Sequence, residues 1–336
     1  AALRSVETQA GIPPSIRALP EGAAGLLAEF QSSRESERTD LARLAADATG
    51  SLRLHEAARF THNPVEQALL WKIRSGMFPS VGSVRRSGAT VIIEDVAFPV
   101  DRLAAAIADL NALFRRHEYP EAIIFGHAKD GNLHFVVTQG LGDQKAIDRY
   151  SRFMDDVVGL VVKGYDGALK AEHGTGRNMA PFVETEWGPE GYEIMRRLKA
   201  LADPHGLLNP GVIINASKRA HLENLKAFPT IEPEVDKCIE CGYCEPKCPS
   251  RELTLTPRKR IVVRREMKRL AESGADPALA AALAEAYPYQ ALDTCATDGL
   301  CATACPVGID TGKLVKLLRH SGASEGRTRN LEIPGL

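Results

Sequence analysis

Residues 238–249 read Cys-Ile-Glu-Cys-Gly-Tyr-Cys-Glu-Pro-Lys-Cys-Pro, a C-x2-C-x2-C-x3-C-P run. This spacing lets three thiolates ligate one iron–sulfur cluster, while the fourth cysteine, just before proline, ligates a second cluster. A second run lies further along the chain, with Cys295, Cys301 and Cys305 before Pro306 and with Asp298 at the place of the missing cysteine. Two such runs predict a ferredoxin-type domain with two clusters.

Crossed ligation gives each cluster its own set of ligands. The first cluster is predicted to bind Cys238, Cys241, Cys244 and Cys305. The second is predicted to bind Cys248, Cys295 and Cys301, with Asp298 as fourth ligand in a 4Fe-4S cluster or with one iron missing in a 3Fe-4S cluster. A carboxylate is a poorer partner than a thiolate for sulfide-bound iron, so we expect the second cluster to be the more labile. Asp298 has an alternative role as a turn residue before Gly299.

The seven cysteines of these two runs are all the cysteines of the 336-residue chain. An odd number argues against a disulfide framework, and a chain of this length does not need one. Structural zinc is another alternative, but four-cysteine zinc sites usually combine two separated C-x2-C pairs. Runs that end in Cys-Pro therefore favour iron–sulfur clusters.

Composition is that of an ordinary globular protein, with 44% hydrophobic and 25% charged residues. The net charge of −1 gives no basic surface for nucleic acid or anionic lipid. We find no apolar run of membrane-spanning length and expect no signal peptide. Oxygen-sensitive clusters suit a reducing compartment, so we expect the protein in the cytoplasm, or peripheral to the inner membrane.

The first 218 residues alternate predicted strands and helices. Strands are predicted at 24–30, 91–97, 122–125 and 132–137, with a hairpin turn at 129–131. Helices are predicted at 31–48, 64–75, 101–117, 143–163 and 187–202, followed by a fixed, irregular loop at 203–211. Asn63 and Glu66 cap the helix that begins at Pro64. The order strand–helix–strand–strand–helix predicts an α+β fold, a ferredoxin-like split βαβ sandwich.

The rest of the chain is predicted to contain a linker, a cluster-binding domain and a tail. Residues 219–236 form the linker, with prolines among charged residues. Residues 237–320 form the iron–sulfur domain. Helices at 257–273 and 277–286 separate its cysteine runs, which favours an α-helical ferredoxin domain. Residues 321–336 form a polar, frayed tail.

Two glycine-containing segments hold candidate metal ligands. Residues 126–134 read Gly-His-Ala-Lys-Asp-Gly-Asn-Leu-His, in which a hairpin aims His127 and His134 at one point and glycine lets the backbone approach a ligand. Residues 171–177 read Ala-Glu-His-Gly-Thr-Gly-Arg and add Glu172 and His173. Two histidines and a carboxylate suit a divalent metal with open positions. We assign Glu172 to the metal and leave His173 as a base.

Other histidines and two arginines have simpler interpretations. A lone histidine is more often a surface or core residue than a ligand, and this applies to His55, His62, His117, His205, His221 and His320. Arg177 and Arg74 are by default solvated charges. Arg74, near the end of its predicted helix, is also a candidate anion-binding residue.

Three ordered motifs resemble the C-terminal half of the FAD-linked oxidases, the D-lactate, glycolate and D-2-hydroxyglutarate dehydrogenases of the vanillyl-alcohol-oxidase superfamily. They are Gly-His-x-x-Asp-Gly-Asn-Leu-His, Glu-His-Gly-Thr-Gly-Arg and Met195-x2-Leu-Lys199-x3-Asp203-Pro-His-Gly-x2-Asn209-Pro-Gly. The resemblance covers residues 20–216, and members of the respiratory D-lactate type also carry a fused ferredoxin domain. Lys129, where the family usually has Gly, departs from the pattern, as does Asp298.

The resemblance implies roles for the site residues. The implied ligands of a divalent metal, commonly zinc, are His127, His134 and Glu172. This metal polarises the substrate hydroxyl. His173 takes the hydroxyl proton while hydride passes to the flavin, and Arg74 holds the substrate carboxylate. Asn209 lies near the flavin, and Asn132 and Glu172 are further candidate cofactor-binding residues.

The resemblance also implies partners. In the family a separate N-terminal domain holds FAD, and this sequence contains no glycine-rich phosphate cradle. The chain begins Ala-Ala-Leu-Arg without an initiator Met, so we expect a fragment, or a subunit whose partner carries FAD, that is inactive alone. The clusters would pass electrons singly from the flavin to a quinone, cytochrome or flavoprotein acceptor.

The predicted function is oxidation of a 2-hydroxy acid, with D-lactate ahead of glycolate and D-2-hydroxyglutarate. One alternative is a non-catalytic iron–sulfur electron-transfer subunit, in which the oxidase-like half is a docking scaffold. Another is a metal-dependent hydrolase with an activated water and no flavin, which would leave the clusters without a role.

Overall fold

The computed structural model describes residue 12, residues 14–20 and residues 22–324. The chain divides into two compact units, Ala1–Ser80 and Val81–Leu336. The first unit contains α1 (Pro14–Arg17), α2 (Glu35–Thr49) and most of α3 (Pro64–Val84). No described helix combines the length and apolar character needed to cross a bilayer.

The strand predicted at 24–30 is wrong, because these residues are irregular and exposed. Leu26 and Leu27 are 78% and 41% exposed, and no described strand pairs with this segment. An apolar run needs a neighbouring strand to satisfy its backbone before it forms a sheet. The helix predicted at 31–48 is confirmed as α2.

Asn63 caps α3 as predicted, since its Oδ1 accepts a hydrogen bond from the amide of Val65 at 2.8 Å. The predicted end near Ser75 is wrong, because the helix continues to Val84. Arg74 therefore lies in the middle of α3 rather than near its end.

Packing explains the length of α3. Gly76 and Pro79 are poor helix formers inside a helix. Ile73, Met77 and Val81, however, recur every four residues and are at most 7% exposed. Burial of this one face outweighs the weak local propensity.

Three strands form the sheet of the second unit: β1 (Ala89–Ala97), β2 (Ile123–His127) and β3 (Asn132–Gly140). β3 lies between the other two and is antiparallel to both, so β1 and β2 are parallel to each other. α4 (Leu103–Arg116) connects β1 to β2. This is the predicted split βαβ arrangement, and the α+β fold class is confirmed.

The main core lies on one face of this sheet, under α4 and α5 (Gln144–Val158). α5 continues as a π-helical segment, Gly159–Gly164. Val96 and Phe135 belong to this core together with Phe153 of α5. Because side chains alternate along a strand, their neighbours Asp95 and His134 point to the opposite face.

α6 (Val183–Ala202) begins one turn before the predicted start and has a non-helical break at Gly188. Asp203 fixes the loop that follows, because its carboxylate accepts the amides of Leu207 at 2.9 Å and Leu208 at 2.8 Å. Lys199 Nζ lies 2.7 Å from the same carboxylate. The Lys199 hydrogen bond and the two amides lower the pKa of Asp203 to about 2. The irregular but fixed loop predicted at 203–211 is confirmed.

The cysteine-containing part is helical. It contains α7 (Pro233–Asp236), α8 (Pro257–Ser273), α9 (Pro277–Tyr287), α10 (Leu300–Ala304) and α11 (Thr311–Ser324). A small core of Val235, Ile261, Ile309 and Leu314 joins α7, α8 and α11. α8 and α9 confirm the two predicted helices. The tail predicted from residue 321 begins too early, since α11 runs to Ser324, and the remainder of that tail lies outside the described residues.

Residues 219–236, predicted as a linker, are anchored to their surroundings. Ala220 and His221 are 3% and 5% exposed, and the His221 ring lies 4.9 Å from the Phe182 ring between centroids. The guanidinium of Arg85, just before β1, donates to the backbone carbonyl of Asp236. Buried contacts of this kind hold the segment in place, although its boundaries as a linker stay a prediction.

Candidate functional site

The β2–β3 hairpin brings His127 and His134 together. Their ring centroids lie 5.6 Å apart, with the rings nearly perpendicular. Gly131 in the turn has φ +67°, and a Cβ there would lie 2.0 Å from the carbonyl oxygen of Phe98. The chain's own backbone occupies the Cβ side of Gly131, and the expectation that glycine lets a ligand approach this turn stays a prediction.

Glu172 lies between the two histidines. Its Oε1 is 3.1 Å from His127 Nε2 and 3.0 Å from His134 Nε2. His134 is buried, whereas the side chains of His127 and Glu172 are about half exposed. The three predicted metal ligands therefore converge at a point that solvent reaches from one side.

Asp95 of β1 holds the loop that carries Glu172. Its Oδ2 accepts the backbone amides of Ala171 at 3.2 Å, Glu172 at 2.7 Å and His173 at 2.8 Å. Three consecutive amides directed at one oxygen curl the loop around the carboxylate. This curl explains why Glu172 and His173, which would point to opposite sides of a strand, both face the histidine pair.

The second oxygen of Asp95 serves the hairpin. Oδ1 accepts the side-chain amide of Asn132 at 2.6 Å and lies 3.3 Å from His134 Nδ1. Burial acts to raise the pKa of Asp95, but the amides of His173, Glu172 and Asn132 outweigh it and the pKa is lowered. Burial lowers the pKa of His134, against the opposing effect of Asp95. An ionised Asp95 and a neutral His134 leave Nε2 suited to ligate a metal.

His173 stacks on His134, with ring centroids 4.7 Å apart and planes within 7°. Its Nε2 is 3.9 Å from Glu172 Oε1, and its side chain is 44% exposed. His173 thus lies beside the converging ligands with a solvent-accessible ring, as a proton acceptor at this site requires.

Two ligand sets fit a metal ion at this place. Donor atoms of Asp95, His134, Glu172 and His173 all lie within 4.8 Å of one another. Asp95, however, is completely buried, and its two oxygens already accept four hydrogen bonds. With Asp95 set aside as a support behind the site, His134 and Glu172 remain with either His173 or His127 as the third donor, and the assignment of His127, His134 and Glu172 stays a prediction.

A buried ion pair lies next to Asp95. Glu94, which is 2% exposed, forms a 2.6 Å contact with Lys170 Nζ, directly before the Glu172 loop. Asn178 also donates to Glu94. Burial raises the pKa of Glu94, while Lys170 and Asn178 act in the opposite direction.

Sequence reasoning missed Glu94 and Asp95. The available signal was an adjacent pair of acidic residues inside the β-branched strand predicted at 91–97. Charged residues are rarely buried unless they are paired, so two acids in a core strand indicate basic or amide partners elsewhere.

The other predicted site residues are less directly placed. Asn132 uses its amide group for Asp95, so its Oδ1 remains for other contacts. Arg177 and Asn209 are exposed, the latter in the loop after α6, and Lys129 is exposed in the hairpin turn. Arg74 lies on α3 of the first unit. The cofactor and substrate roles of these residues stay predictions.

The histidines outside the motifs match their simpler interpretations. His117 is buried with Nε2 2.8 Å from Asp156, and His221 is buried against aromatic rings. The exposed ones are His55, His62, His205 and His320.

The cysteines predicted for the first cluster influence one another electrostatically. Burial raises the pKa of Cys244 to about 12, and the neighbouring thiols of Cys238, Cys305 and Cys241 add to this rise. The other three cysteines predicted for this cluster therefore all belong to the surroundings of Cys244. The thiols would lose their protons as iron binds.

The cysteines predicted for the second cluster share a cavity. It is lined by Cys248, Cys295, Cys301 and Asp298. Asp298 is exposed, and its Oδ1 accepts the amide of Leu300 at 3.1 Å at the start of α10. Asp298 therefore borders the predicted site and also acts as the predicted turn residue.

Comparison with known protein families gives two matches. Residues 1–213 match the family of FAD linked oxidases, C-terminal domain. Residues 234–309 match the 4Fe-4S dicluster domain. The first match includes the histidine site, and the second includes all seven cysteines.

Several dehydrogenases are similar in sequence. The D-2-hydroxyglutarate dehydrogenase of Escherichia coli (strain K12) is 31% identical over 210 residues, 55% of this chain and 20% of that protein. The D-lactate dehydrogenase of Archaeoglobus fulgidus is 30% identical over 194 residues, 58% and 40%. The glycolate oxidase subunit GlcD of Bacillus subtilis (strain 168) is 30% identical over 146 residues, 43% and 31%. The chain spans at most 40% of the length of these three relatives.

Proposed function

Because this chain belongs to the FAD linked oxidases through their C-terminal domain and carries a 4Fe-4S dicluster domain, we propose that it oxidises a D-2-hydroxy acid as part of a flavoenzyme. D-lactate is the proposed substrate, with glycolate and D-2-hydroxyglutarate next, since relatives are named for all three. The observation that carries the proposal is the convergence of His127, His134 and Glu172 beside the stacked His173.

The donor set of two imidazoles and one carboxylate fits a divalent metal such as zinc. When bound, the metal would polarise the substrate hydroxyl, FAD would accept the hydride, and the clusters would transfer electrons singly. His134 would ligate through Nε2 while Asp95 fixes its ring from the Nδ1 side. Glu172 would ligate through Oε1, held by its amide on Asp95.

His173 would accept the hydroxyl proton. Loss of that proton, together with loss of a hydride from the carbon that bears the hydroxyl, converts the hydroxy acid to a 2-oxo acid. The amide of His173 is fixed on Asp95 at 2.8 Å and its ring is fixed on His134, so the base would be held rigidly. Its partial exposure would let the proton leave to solvent.

A flavin-bearing partner is supported by exposed apolar residues after residue 186. Ile194, Leu198 and Leu201 on α6 are 58–82% exposed at helical spacing. Trp187, before the break at Gly188, is 59% exposed, and Leu207 and Leu208 follow the helix. Solvent-exposed apolar area of this extent usually marks an interaction surface. We propose that an FAD-binding domain or subunit supplies the cofactor pocket. In this proposal residues 1–218 take part in substrate oxidation, and residues 237–320 transfer the electrons. The electron acceptor would be a quinone, a cytochrome or a flavoprotein.

The test replaces His173 with Gln in the chain assembled with its FAD-bearing partner. We expect D-lactate-dependent flavin reduction to slow by about a hundredfold to ten-thousandfold, because a general base is lost. Zinc content and cluster absorbance should stay unchanged. His55→Gln, at an exposed histidine outside the site and outside the family motifs, is the matched control and should retain the wild-type rate.

An unchanged rate in His173→Gln would favour the alternative function, an electron-transfer subunit whose oxidase-like half only docks a partner. In that case chemically reduced flavin should still reduce the clusters in both variants. Measuring flavin reduction and cluster reduction separately therefore distinguishes the two functions.

A further inference from the structure

Arg260 of α8 is a buried arginine without a carboxylate partner. It is 1% exposed, and its Nη1 lies 3.7 Å from Cys248 Sγ. Among the described residues, its Nε and Nη2 find no hydrogen-bond partner. Within the part of the chain that the structure describes, no ion pair includes Arg260. The side chain lines the same cavity as Cys248, Cys295 and Cys301.

Arg265, five residues further along α8, is also 1% exposed but is paired. Its Nη1 lies 2.8 Å from Glu240 Oε1, and its Nη2 donates to the carbonyl oxygens of Asp236 at 3.0 Å and Cys238 at 2.9 Å. One helix therefore carries two equally buried arginines, of which one has an acidic partner and the other faces a cysteine-lined cavity.

A buried unpaired charge is strongly unfavourable, so an anion is expected where Arg260 points. Thiolates bound to iron, together with sulfide, supply such an anion. Their sulfurs also accept N–H hydrogen bonds, which are known to set cluster potentials. The two free N–H groups and the contact to Cys248 Sγ match this acceptor in both charge and chemistry.

We propose that Arg260 is the counter-ion and N–H···S donor of the second cluster, and that it raises the reduction potential of that cluster. Reduction adds one negative charge to the cluster. A fixed positive charge beside it stabilises the reduced form more than the oxidised form, so reduction becomes more favourable. Arg260 acts on the cluster through Cys248 and is a positioning residue rather than a ligand.

The inference rests on the dicluster domain and not on the identity of the substrate. The test is an anaerobic redox titration of the whole chain, followed by electron paramagnetic resonance, with iron content measured on each sample. Arg260→Gln removes the charge and keeps N–H donors. Arg260→Lys keeps the charge. Lys259→Gln removes an exposed charge from the adjacent position and is the matched control.

We expect Arg260→Gln to shift the midpoint potential of the second cluster to more negative values and to leave the first cluster unchanged. Arg260→Lys should stay closer to wild type than Arg260→Gln, and Lys259→Gln should match wild type. If Arg260→Gln fails to load the second cluster, a loaded Arg260→Lys at near wild-type potential supports the proposal.

An unchanged second-cluster potential in a loaded Arg260→Gln would overturn the proposal, as would loss of the cluster in both Arg260 variants. A wild-type chain without iron would instead contradict the dicluster domain itself. Measured iron content thus distinguishes failure of this inference from failure of the function that depends on the clusters.

Discussion

The carboxylate of Asp95 determines the local geometry of the histidine site. One oxygen binds three consecutive amides of the Glu172 loop, and the other oxygen contacts Asn132 and His134. A metal ligand is positioned by the groups behind it as much as by its own side chain. Asp95 is such a group for both sides of the proposed metal site.

Asp95→Asn tests this role. Asn keeps the size of the side chain but loses the charge that holds the amides, so the loop should loosen. We expect zinc affinity to fall about tenfold to a hundredfold, measured by isothermal titration calorimetry. Asp130→Asn, at an exposed position of the hairpin turn, should bind zinc as the wild type does. Equal affinities in the two variants would contradict the role of Asp95.

Lys170→Met tests the buried pair with Glu94. Removal of one partner leaves a buried carboxylate without its counter-charge and should lower the free energy of unfolding by about 3 kcal/mol at pH 7. Lys163→Met, at an exposed lysine, should change it little. Denaturant titration of both variants gives the comparison.

Lys170→Met should recover part of its lost stability in acid. The pKa of Glu94 is raised in the folded state by burial, and without Lys170 it should rise further. The folded state then binds a proton more readily than the unfolded state, so stability increases as pH falls. The loss in Lys170→Met should therefore shrink as pH falls from 7 toward the raised pKa of Glu94 in the folded wild type, because below that pKa both folded proteins carry a neutral Glu94. A loss independent of pH would exclude Glu94 as its cause.

At the scale of elements, the hairpin and the split βαβ unit were predictable from sequence because alternation, turn residues and helical periodicity agreed there. The strand at 24–30 was not, because apolar content alone does not show whether a neighbouring strand exists. The end of α3 was placed too early, near Ser75, since burial of Ile73, Met77 and Val81 is a tertiary property. Similarly, His127 and His134 were recognisable because they belong to a sequence motif. Asp95 was not, because its role depends on contacts with a loop that is distant in sequence.

Gly131→Ala tests the hairpin element. A Cβ at this left-handed position would meet the Phe98 carbonyl at 2.0 Å, so the turn must shift. We expect a loss of about 2 kcal/mol or more in unfolding free energy, together with weaker zinc binding as His127 and His134 separate. Gly142→Ala, where a Cβ meets nothing within 4 Å, is the control. Unchanged stability in Gly131→Ala would rule out this steric account.

At the scale of the molecule, one buried arginine and a nearby serine connect the oxidase-like part to the first cysteine run. Arg85 donates to the carbonyls of Ala89 at 2.9 Å and Cys238 at 3.3 Å, and Ser87 Oγ donates to Asp236 at 2.6 Å. Sequence patterns gave no sign of these contacts, because their partners lie about 150 residues apart and carry no shared motif.

Arg85→Met tests this connection. Loss of its hydrogen bonds should free the backbone around Cys238, so amides 236–241 should exchange hydrogen faster and iron should leave the first cluster sooner under chelation. Arg86→Met changes the adjacent exposed arginine and should behave as wild type. Hydrogen-exchange mass spectrometry on both variants measures the exchange rates of these amides. Equal rates in the two variants would show that Arg85 does not secure this segment.

β1 separates the histidine site from the first cysteine run. Its first residue, Ala89, is tied through Arg85 to the peptide of Cys238, and Asp95 near its other end supports the histidine site. At about 3.3 Å per residue, the six steps from Ala89 to Asp95 span roughly 20 Å. An extended strand in a sheet cannot stretch, so the distance between the histidine site and the Arg85 contact to Cys238 is set by a residue count. Inserting two residues into β1 would leave each side chain of the strand on the same face of the sheet. It would, however, move the histidine site and the Arg85 contact to Cys238 apart by about 7 Å.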